Sequence, residues 1–311
     1  MLNKSPVFLN SFARGGSNIV WEILQSHPGL ASPVEETDKA IWMEAGKWKK
    51  FLNVWLSVRG GYPFPNLERA NGYSILNYGV FHADNYRERK LNSFSKKYLD
   101  ELLYRWKLKN IDHGFNKYKT KDEVYTLDEL KQTRIAAKHV NGLIYLVPAL
   151  IKTYPDSVHF GLVRNGLALC ESRLRRGTFK EAGKFGVIYN KIVQKFFEYQ
   201  EKYPNFHIIK FEDLLEDPQK FISNLYDKAG LPYTDEIIVR LKAKKFVSPD
   251  GSHATKFVEG DKYWINTNNF FDFISSEINE SQISKMSKKD IDGFLKIAGP
   301  SMQKLGYLPG S

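Results

Sequence analysis

The chain has 311 residues, of which 42% are hydrophobic and 14% aromatic, so it can bury a sizeable core and is not intrinsically disordered. Lys and Arg outnumber Asp and Glu by 46 to 35, and the formal net charge of +11 favours an anionic partner such as a nucleotide, a nucleic acid, a sulfated or phosphorylated substrate, or a membrane headgroup. The single cysteine, Cys170, excludes an intramolecular disulfide and a cysteine-based metal site.

The first apolar run, Val7–Ser11, is too short for the core of a signal peptide or for a membrane span. We therefore expect no signal peptide, no stable membrane insertion and, by default, a cytoplasmic protein. The same run predicts a short buried strand. The apolar spacing that follows predicts a helix over Asn18–Ser26, which Pro28 ends.

A glycine-rich loop, Arg14-Gly15-Gly16-Ser17, joins this strand to this helix. Such a loop lets backbone N–H groups converge at the positive end of a helix, which suits a phosphate or a sulfate. A tight turn with a surface arginine is the alternative interpretation. The loop lacks the Gly-x-x-x-x-Gly-Lys-Ser/Thr pattern of ATP-binding loops.

Residues 38–131 differ in composition from the rest, with four tryptophans, many tyrosines and clustered lysines. Residues 48–56 and 96–109 have amphipathic spacing that predicts helices. We interpret residues 38–131 as a helical, aromatic-rich insertion within a single domain spanning 1–311, and as the acceptor-binding region.

Strands and helices then alternate. Strands are predicted at Arg134–Val140, Ser157–Arg164 and Phe206–Glu212, and helices at residues 142–155, 165–177, 185–204, 217–232 and 281–305. This alternation predicts an α/β fold with a doubly wound parallel sheet of P-loop NTPase-like type, carrying the helical insertion. Ligands of such sheets bind at the carboxyl ends of the strands, where Arg14, Lys138, Arg164 and Glu212 are predicted.

The loop Arg14–Asn18 resembles the Arg-Ser-Gly-Thr-Thr loop of sulfotransferases, which holds the 5′-phosphosulfate of 3′-phosphoadenosine 5′-phosphosulfate (PAPS). Ser26-His27-Pro28 is similar to the family's Ser/Ala-His-Pro after the first helix. The departures at Gly15 and Asn18 lose one hydroxyl each. Ser17 keeps a hydroxyl, and Asn18 can donate from its amide.

Arg164 at a predicted strand end, with Ser172 eight residues later, resembles the family's 3′-phosphate site. Arginine supplies a planar fork for a phosphate, and serine adds a donor. The neighbouring Arg173, Arg175 and Arg176 are interpreted as a solvated basic helix end.

Phe211–Pro232 resembles the family's Tyr-Glu-Asp-Leu and Asp-Pro stretch, and the C-terminal IAGPSMQKLGYLP resembles the family's ending. We expect Glu212 to be a cap or salt-bridge partner rather than a catalyst. The resemblance covers the start and the second half of the chain but not residues 38–131.

The segment AAKHV resembles the family strand that carries a catalytic lysine, so the resemblance assigns Lys138, together with Arg14, to stabilising the leaving oxygen. His139 is the rival candidate base, because cytosolic sulfotransferases use a histidine two residues after a comparable lysine, whereas here the histidine is adjacent. Alternation along a strand places Lys138 and His139 on opposite faces, which argues against both serving one site.

The segment SPVEET, residues 32–37, resembles the Gly-Glu-Glu-Thr segment of tyrosylprotein sulfotransferases, in which a glutamate acts as base. The number of residues after the loop arginine matches the family's base to Glu35, whereas alignment of the letters Glu-Glu-Thr matches it to Glu36. We prefer Glu35. A simply exposed glutamate pair is the alternative.

Residues 252–264 match the region in which a basic loop of the family closes over the nucleotide, and Lys256 and Lys262 are the candidates there. The family's Arg-Lys-Gly signature is absent.

The resemblance implies transfer of a sulfuryl group from PAPS to a hydroxyl acceptor (a sugar, a lipid-linked group, a phenol or a tyrosine), with release of adenosine 3′,5′-bisphosphate (PAP, 3′,5′-ADP) and with no metal. A P-loop-type nucleotide kinase would need Gly-Lys-Ser/Thr and a Mg²⁺ carboxylate. A catalytically inactive nucleotide-binding homologue is the other alternative. No nucleic-acid partner is expected, because the basic residues are scattered and no recognised motif is present.

Overall fold

The computed structural model describes residues 5–37, 40, 91, 93–112, 114–232, 238–242 and 262–309. Its central sheet has five strands: Val7–Ser11 (β1), Leu30–Ala31 (β2), Arg134–Val140 (β3), Val158–Val163 (β4) and Phe206–Lys210 (β5). Their order is β2-β3-β1-β4-β5, and the sheet is parallel. With its flanking helices, this sheet confirms the predicted α/β fold.

Ten α-helices are present in the described ranges. They are Ser17–Ser26 (α1), Ser93–Leu108 (α2), Leu127–Gln132 (α3), Val147–Thr153 (α4), Gly166–Arg175 (α5), Ala182–Lys202 (α6), Phe211–Glu216 (α7), Pro218–Lys228 (α8), Ile278–Ile283 (α9) and Lys288–Lys304 (α10). Two strands, Ile238–Lys242 (β6) and Lys262–Asn266 (β7), pair antiparallel in a separate sheet.

Several boundaries differ from the predicted ones. The predicted strand Phe206–Glu212 ends at Lys210, because the chain passes directly into α7 at Phe211. The predicted helix over 142–155 begins as a 3₁₀-helix, Asn141–Leu146, and becomes α-helical only at α4. The β6–β7 pair was not predicted.

The predicted insertion is only partly described. The helix expected from residues 96–109 is present as α2, whereas residues 48–56 lie outside the described residues. In the part of the chain that the structure describes, no helix is long and apolar enough to cross a membrane.

Contacts divide the chain into two compact units. The first comprises Met1–Ser11 with His27–Phe160, and the second comprises Phe12–Ser26 with Gly161–Ser311. In the first unit, one face of β1 and β3 is covered by apolar side chains of α2 and α4. This core includes Phe8, Leu102, Trp106, Ala137 and Leu150.

In the second unit, α6 packs closely on α10. A Cβ atom at Gly186 would lie 3.2 Å from the carbonyl oxygen of Phe294, so glycine permits the close approach of the two helices. The Phe12 ring stacks on Tyr189, with centroids 5.1 Å apart, and Tyr189 meets Phe294 edge-on at 5.5 Å. These rings fix the start of the glycine loop against the helices of the same unit.

Candidate functional site

The glycine loop leaves β1 through a tight turn. The N–H of Gly15 donates to the carbonyl of Phe12 at 3.1 Å, and α1 begins at Ser17. Arg14 has a φ of +77° and is the one non-glycine residue in the described ranges with a positive φ. A left-handed conformation costs an ordinary residue about 1–2 kcal/mol, so the surrounding contacts must hold Arg14 in place.

Gly16 is required on two counts. Its φ is +82°, and a Cβ atom would lie 2.3 Å from Cδ2 of Phe211. The Phe211 ring therefore lies directly against the loop backbone. Because Phe211 is also the first residue of α7, the start of this helix packs against the glycine loop.

Positive charge gathers around Arg14. Burial and the neighbouring guanidinium groups lower its pKa to about 10, and the charges responsible are those of Arg176, Arg173, Arg164 and Arg175. Like charges brought together in this way create a potential that favours a bound anion. The three arginines interpreted as a solvated helix end thus contribute to the electrostatics of the loop.

Arg164 follows β4 and is 4% exposed. Its Nη1 donates to the carbonyl oxygen of Arg14 at 3.1 Å, its Nε to Asn279 Oδ1 at 2.7 Å, and its Nη2 to Gln282 Oε1 at 2.7 Å. Its guanidinium carbon lies 5.0 Å from the centroid of the Phe211 ring. Burial lowers the pKa of Arg164 to about 10. The predicted phosphate ligand is thus also a hydrogen-bond partner of the glycine loop.

Glu212 completes this network. Its Oε1 accepts from the N–H of Asn165 at 2.9 Å and from Nδ2 of Asn279 at 2.6 Å, and its Oε2 accepts from the Tyr307 hydroxyl at 2.5 Å. Burial, followed by the charge of Glu212, raises the pKa of Tyr307. The predicted role of Glu212 as a structural partner is consistent with these contacts.

Ser172, the second predicted 3′-phosphate ligand, lies in α5 and is 2% exposed. The side chain of Asn165, adjacent to Arg164, caps this helix by accepting from the N–H of Leu167 at 3.0 Å. The capped helix α5 therefore connects Arg164 with Ser172, which lies eight residues later.

Lys138 lies in the first unit. It is the fifth of seven residues in β3, two positions before the strand end. Its Nζ lies 3.0 Å from Oε2 of Glu36, and the exposed fractions of the two side chains are 2% and 19%. Glu35, the preferred base, is partly buried in the same segment. Of the two glutamates, Glu36 forms the salt bridge with Lys138.

His139 lies on the opposite face of β3 from Lys138, as strand alternation predicts. It is fully buried, its ring centroid is 5.0 Å from that of Phe8, and burial lowers its pKa to about 3. The ring of His159 stacks on Phe8 at 4.9 Å. His139 is therefore a neutral ring in the core face of the sheet.

The remaining predicted ligands are described less fully. Lys256 lies outside the described residues, and Lys262 is the first residue of β7. Asn18 is partly buried in the first turn of α1. Within the described ranges, no group of three or more His, Cys, Asp and Glu side chains is placed to hold a metal ion.

Sequence reasoning did not identify Asn279 and Gln282 of α9, or Tyr307. The first two bind Arg164, and Tyr307 binds Glu212. Tyr307 lies in the C-terminal stretch whose resemblance was noted, which is the only signal the sequence offered.

Comparison with known proteins agrees with the resemblance. The model of the sulfotransferase family matches residues 6–235. The chain is similar in structure to the sulfotransferase domain of the olefin synthase of Synechococcus PCC 7002, at 16% identity and a TM-score of 0.53, covering 99% of this chain and 98% of that one. It is also similar to the sulfotransferase domain from the curacin biosynthetic pathway, at 15% identity and a TM-score of 0.52, with complete coverage of both chains. No curated protein sequence matches it.

Proposed function

Because the chain belongs to the sulfotransferase family, we propose that it transfers a sulfuryl group from PAPS to a hydroxyl acceptor. The observation that carries this proposal is the glycine-rich loop Arg14–Asn18, whose backbone is held by Arg164 and whose Arg14 is surrounded by further arginines. These residues fit a donor with several negative charges, because the loop combines a helix N-terminus with a group of guanidinium cations.

We assign the 5′ end of the donor to the loop and its 3′-phosphate to Arg164 and Ser172. A guanidinium has five N–H donors, and Arg164 uses three of them in the described part of the chain, so two remain, one on each terminal nitrogen. Guanidinium N–H donors suit a phosphate group. The 3′-phosphate distinguishes this donor from ATP.

The donor supplies an activated sulfuryl group. The acceptor oxygen forms the new bond to sulfur, the bond from sulfur to the 5′-phosphate oxygen breaks, and PAP leaves. The acceptor proton passes to a carboxylate. By analogy with phosphoryl transfer, positioning and cationic stabilisation supply most of the catalysis. We assign stabilisation of the leaving oxygen to Lys138 and Arg14.

For the base we favour Glu36 over Glu35, because Glu36 is the one that lies 3.0 Å from Lys138. His139 is less suited to the role, since its ring is fully buried beside Phe8 and its pKa is lowered to about 3. A base should be within reach of the acceptor proton and should bind it near the working pH.

The acceptor remains a hydroxyl compound of the four classes expected from the resemblance. Residues 38–131 stay the predicted acceptor-binding region. The names of the two structural neighbours refer to an olefin synthase and to curacin biosynthesis. We carry over only the sulfotransferase chemistry that the neighbours share with the family.

Thermal unfolding with PAP, with ATP–Mg²⁺ and with neither tests the donor assignment. A ligand at about 100 times its Kd stabilises by about 2.7 kcal/mol, which raises Tm by several degrees. We expect PAP to raise the Tm of the wild type and of Lys184→Ala, which loses one exposed positive charge, but not that of Arg164→Ala.

Two outcomes separate the alternatives. A Tm shift with ATP–Mg²⁺ alone would contradict the proposal and support a nucleotide kinase. PAP binding with no sulfuryl transfer from PAPS to sugars, phenols, tyrosine peptides or lipid-linked alcohols would identify a catalytically inactive homologue.

A further inference from the structure

We propose that Glu212 is a positioning residue for donor binding, which acts by orienting Asn279 and thereby Arg164. The inference rests on the proposed function, because that function assigns the 3′-phosphate of the donor to Arg164. Glu212 itself is two hydrogen bonds away from Arg164 and three from that phosphate. The path runs from the Glu212 carboxylate through the Asn279 amide to the Arg164 guanidinium.

The Asn279 amide has one orientation that satisfies both of its neighbours. Its Nδ2 donates to Glu212 Oε1 at 2.6 Å, and its Oδ1 accepts from Arg164 Nε at 2.7 Å. Rotating the amide by half a turn would place an oxygen against a carboxylate and an NH₂ group against a guanidinium. Because Asn279 is 4% exposed, water cannot readily repair that mismatch.

The orientation of Asn279 fixes the plane of the Arg164 guanidinium. With Nε held by Asn279, Nη1 donates to the Arg14 carbonyl oxygen and Nη2 to Gln282. The direction of the two remaining N–H bonds then follows from the planar geometry of the group. A guanidinium free to rotate would lose this preset geometry, and phosphate binding would weaken.

Glu212 also constrains Arg164 from the main chain. Its Oε1 accepts from the N–H of Asn165, the residue that follows Arg164 and caps α5. Burial is the main cause of the lowered pKa of Arg164, and Glu212 is foremost among the nearby charges that oppose this lowering. The Glu212 carboxylate therefore acts on Arg164 in three ways: through the backbone N–H of Asn165, through the side-chain amide of Asn279, and through its negative charge.

Isothermal titration of PAP against single and double variants tests the proposal. We expect Glu212→Ala to raise the Kd for PAP about tenfold. Glu212→Gln should recover most of the affinity, because its amide oxygen still accepts from Asn165 and Asn279. Tyr307→Phe is the matched control. It removes only the bond to Oε2, so the Kd should stay within about twofold of wild type.

The double variant Glu212→Ala/Arg164→Ala decides the route. If Glu212 acts through Arg164, the double variant binds PAP no more weakly than Arg164→Ala alone. With an acceptor in hand, Glu212→Ala should raise the KM for PAPS while kcat stays within about twofold. A merely structural role would lower the Tm and leave the Kd of the folded protein unchanged.

Two results overturn the proposal alone: Glu212→Ala that binds PAP as tightly as wild type, or a loss that adds fully to that of Arg164→Ala. If Glu212→Ala does not fold, Asn279→Ala is measured instead, and it carries the same expectations. A wild-type chain that does not bind PAP would overturn the proposed function, and this inference with it.

Discussion

Lys138 and Glu36 form a salt bridge in which the burial of the two partners is unequal. The Nζ–Oε2 distance is 3.0 Å, and the lysine side chain is 2% exposed whereas the glutamate is 19% exposed. Breaking a buried ion pair is costly when the partner left behind cannot reach water. The consequences of removing each partner should therefore differ.

We expect Glu36→Ala to lower the free energy of unfolding by about 3 kcal/mol, because it removes the carboxylate that lies 3.0 Å from the buried ammonium of Lys138. Lys138→Met should cost only about 1 kcal/mol, since Glu36 can be hydrated and the methionine refills the space. Urea unfolding of both variants measures the difference. Equal costs, or a larger cost for Lys138→Met, would contradict the asymmetry.

Gly16→Ala should destabilise the protein by about 3 kcal/mol, because its Cβ atom would enter the Phe211 ring and its φ is +82°. Gly177→Ala is the matched control. Gly177 also has a positive φ, +65°, but nothing lies within 4 Å of its Cβ position, so only about 1 kcal/mol should be lost. Similar Tm values for the two variants would show that the ring makes room.

Sulfate should stabilise the protein more than chloride at equal ionic strength, because several guanidinium groups surround Arg14. At about ten times its Kd, the ion would add about 1.4 kcal/mol. Differential scanning fluorimetry measures the effect. It should disappear in Arg14→Ala and persist in Lys184→Ala. An equal response in both variants would indicate general salt stabilisation.

Stability should fall as the pH decreases below about 6.5, and the histidines on either side of Phe8 should contribute. Burial lowers the pKa of His139 to about 3 and that of His159 in the same direction, whereas the unfolded chain takes up these protons near pH 6.5. The unfolded state therefore binds more protons in this window, and each ring contributes about 1.4 kcal/mol per pH unit.

His139→Leu should remove about half of this contribution, and urea unfolding at about pH 6 and about pH 5 measures the change in slope. His207→Gln is the control. The pKa of His207 is lowered by burial and by Lys228, but this side chain is only half-buried. A slope unchanged in His139→Leu would show that His139 takes up a proton in the folded state.

The strands β1 and β3 could be predicted to the residue, because each is a short run of mostly apolar residues and a glycine loop follows the first of them. The end of β5 could not. Lys210 and Phe211 join a strand to a helix with no glycine, proline or asparagine between them, so no local signal marks the change. The β6–β7 pair brings together residues that lie twenty to twenty-eight positions apart in the sequence, which a local pattern does not reveal.

The residues of the candidate site also divide into those that the sequence could predict and those that it could not. Arg14, Arg164 and Lys138 could be proposed as candidates from the sequence because each lies in a short segment with its own spacing. Asn279 and Gln282 could not, since their importance comes from meeting Arg164, which lies more than a hundred residues earlier. Residue spacing likewise does not decide which of Glu35 and Glu36 meets Lys138. The salt bridge with Glu36 depends on the path of the chain in the folded protein.

The last turn of α1 is completed by residues from far along the chain. Its Ile23 carbonyl accepts from the Tyr226 hydroxyl at 2.8 Å, the Gln25 carbonyl accepts from the Arg240 guanidinium, and the Ser26 hydroxyl accepts from the Arg240 N–H at 2.8 Å. A ten-residue helix is marginal by itself. During synthesis, the glycine loop at the start of this helix therefore leaves the ribosome long before Tyr226 and Arg240 do, and it acquires its final shape only after them.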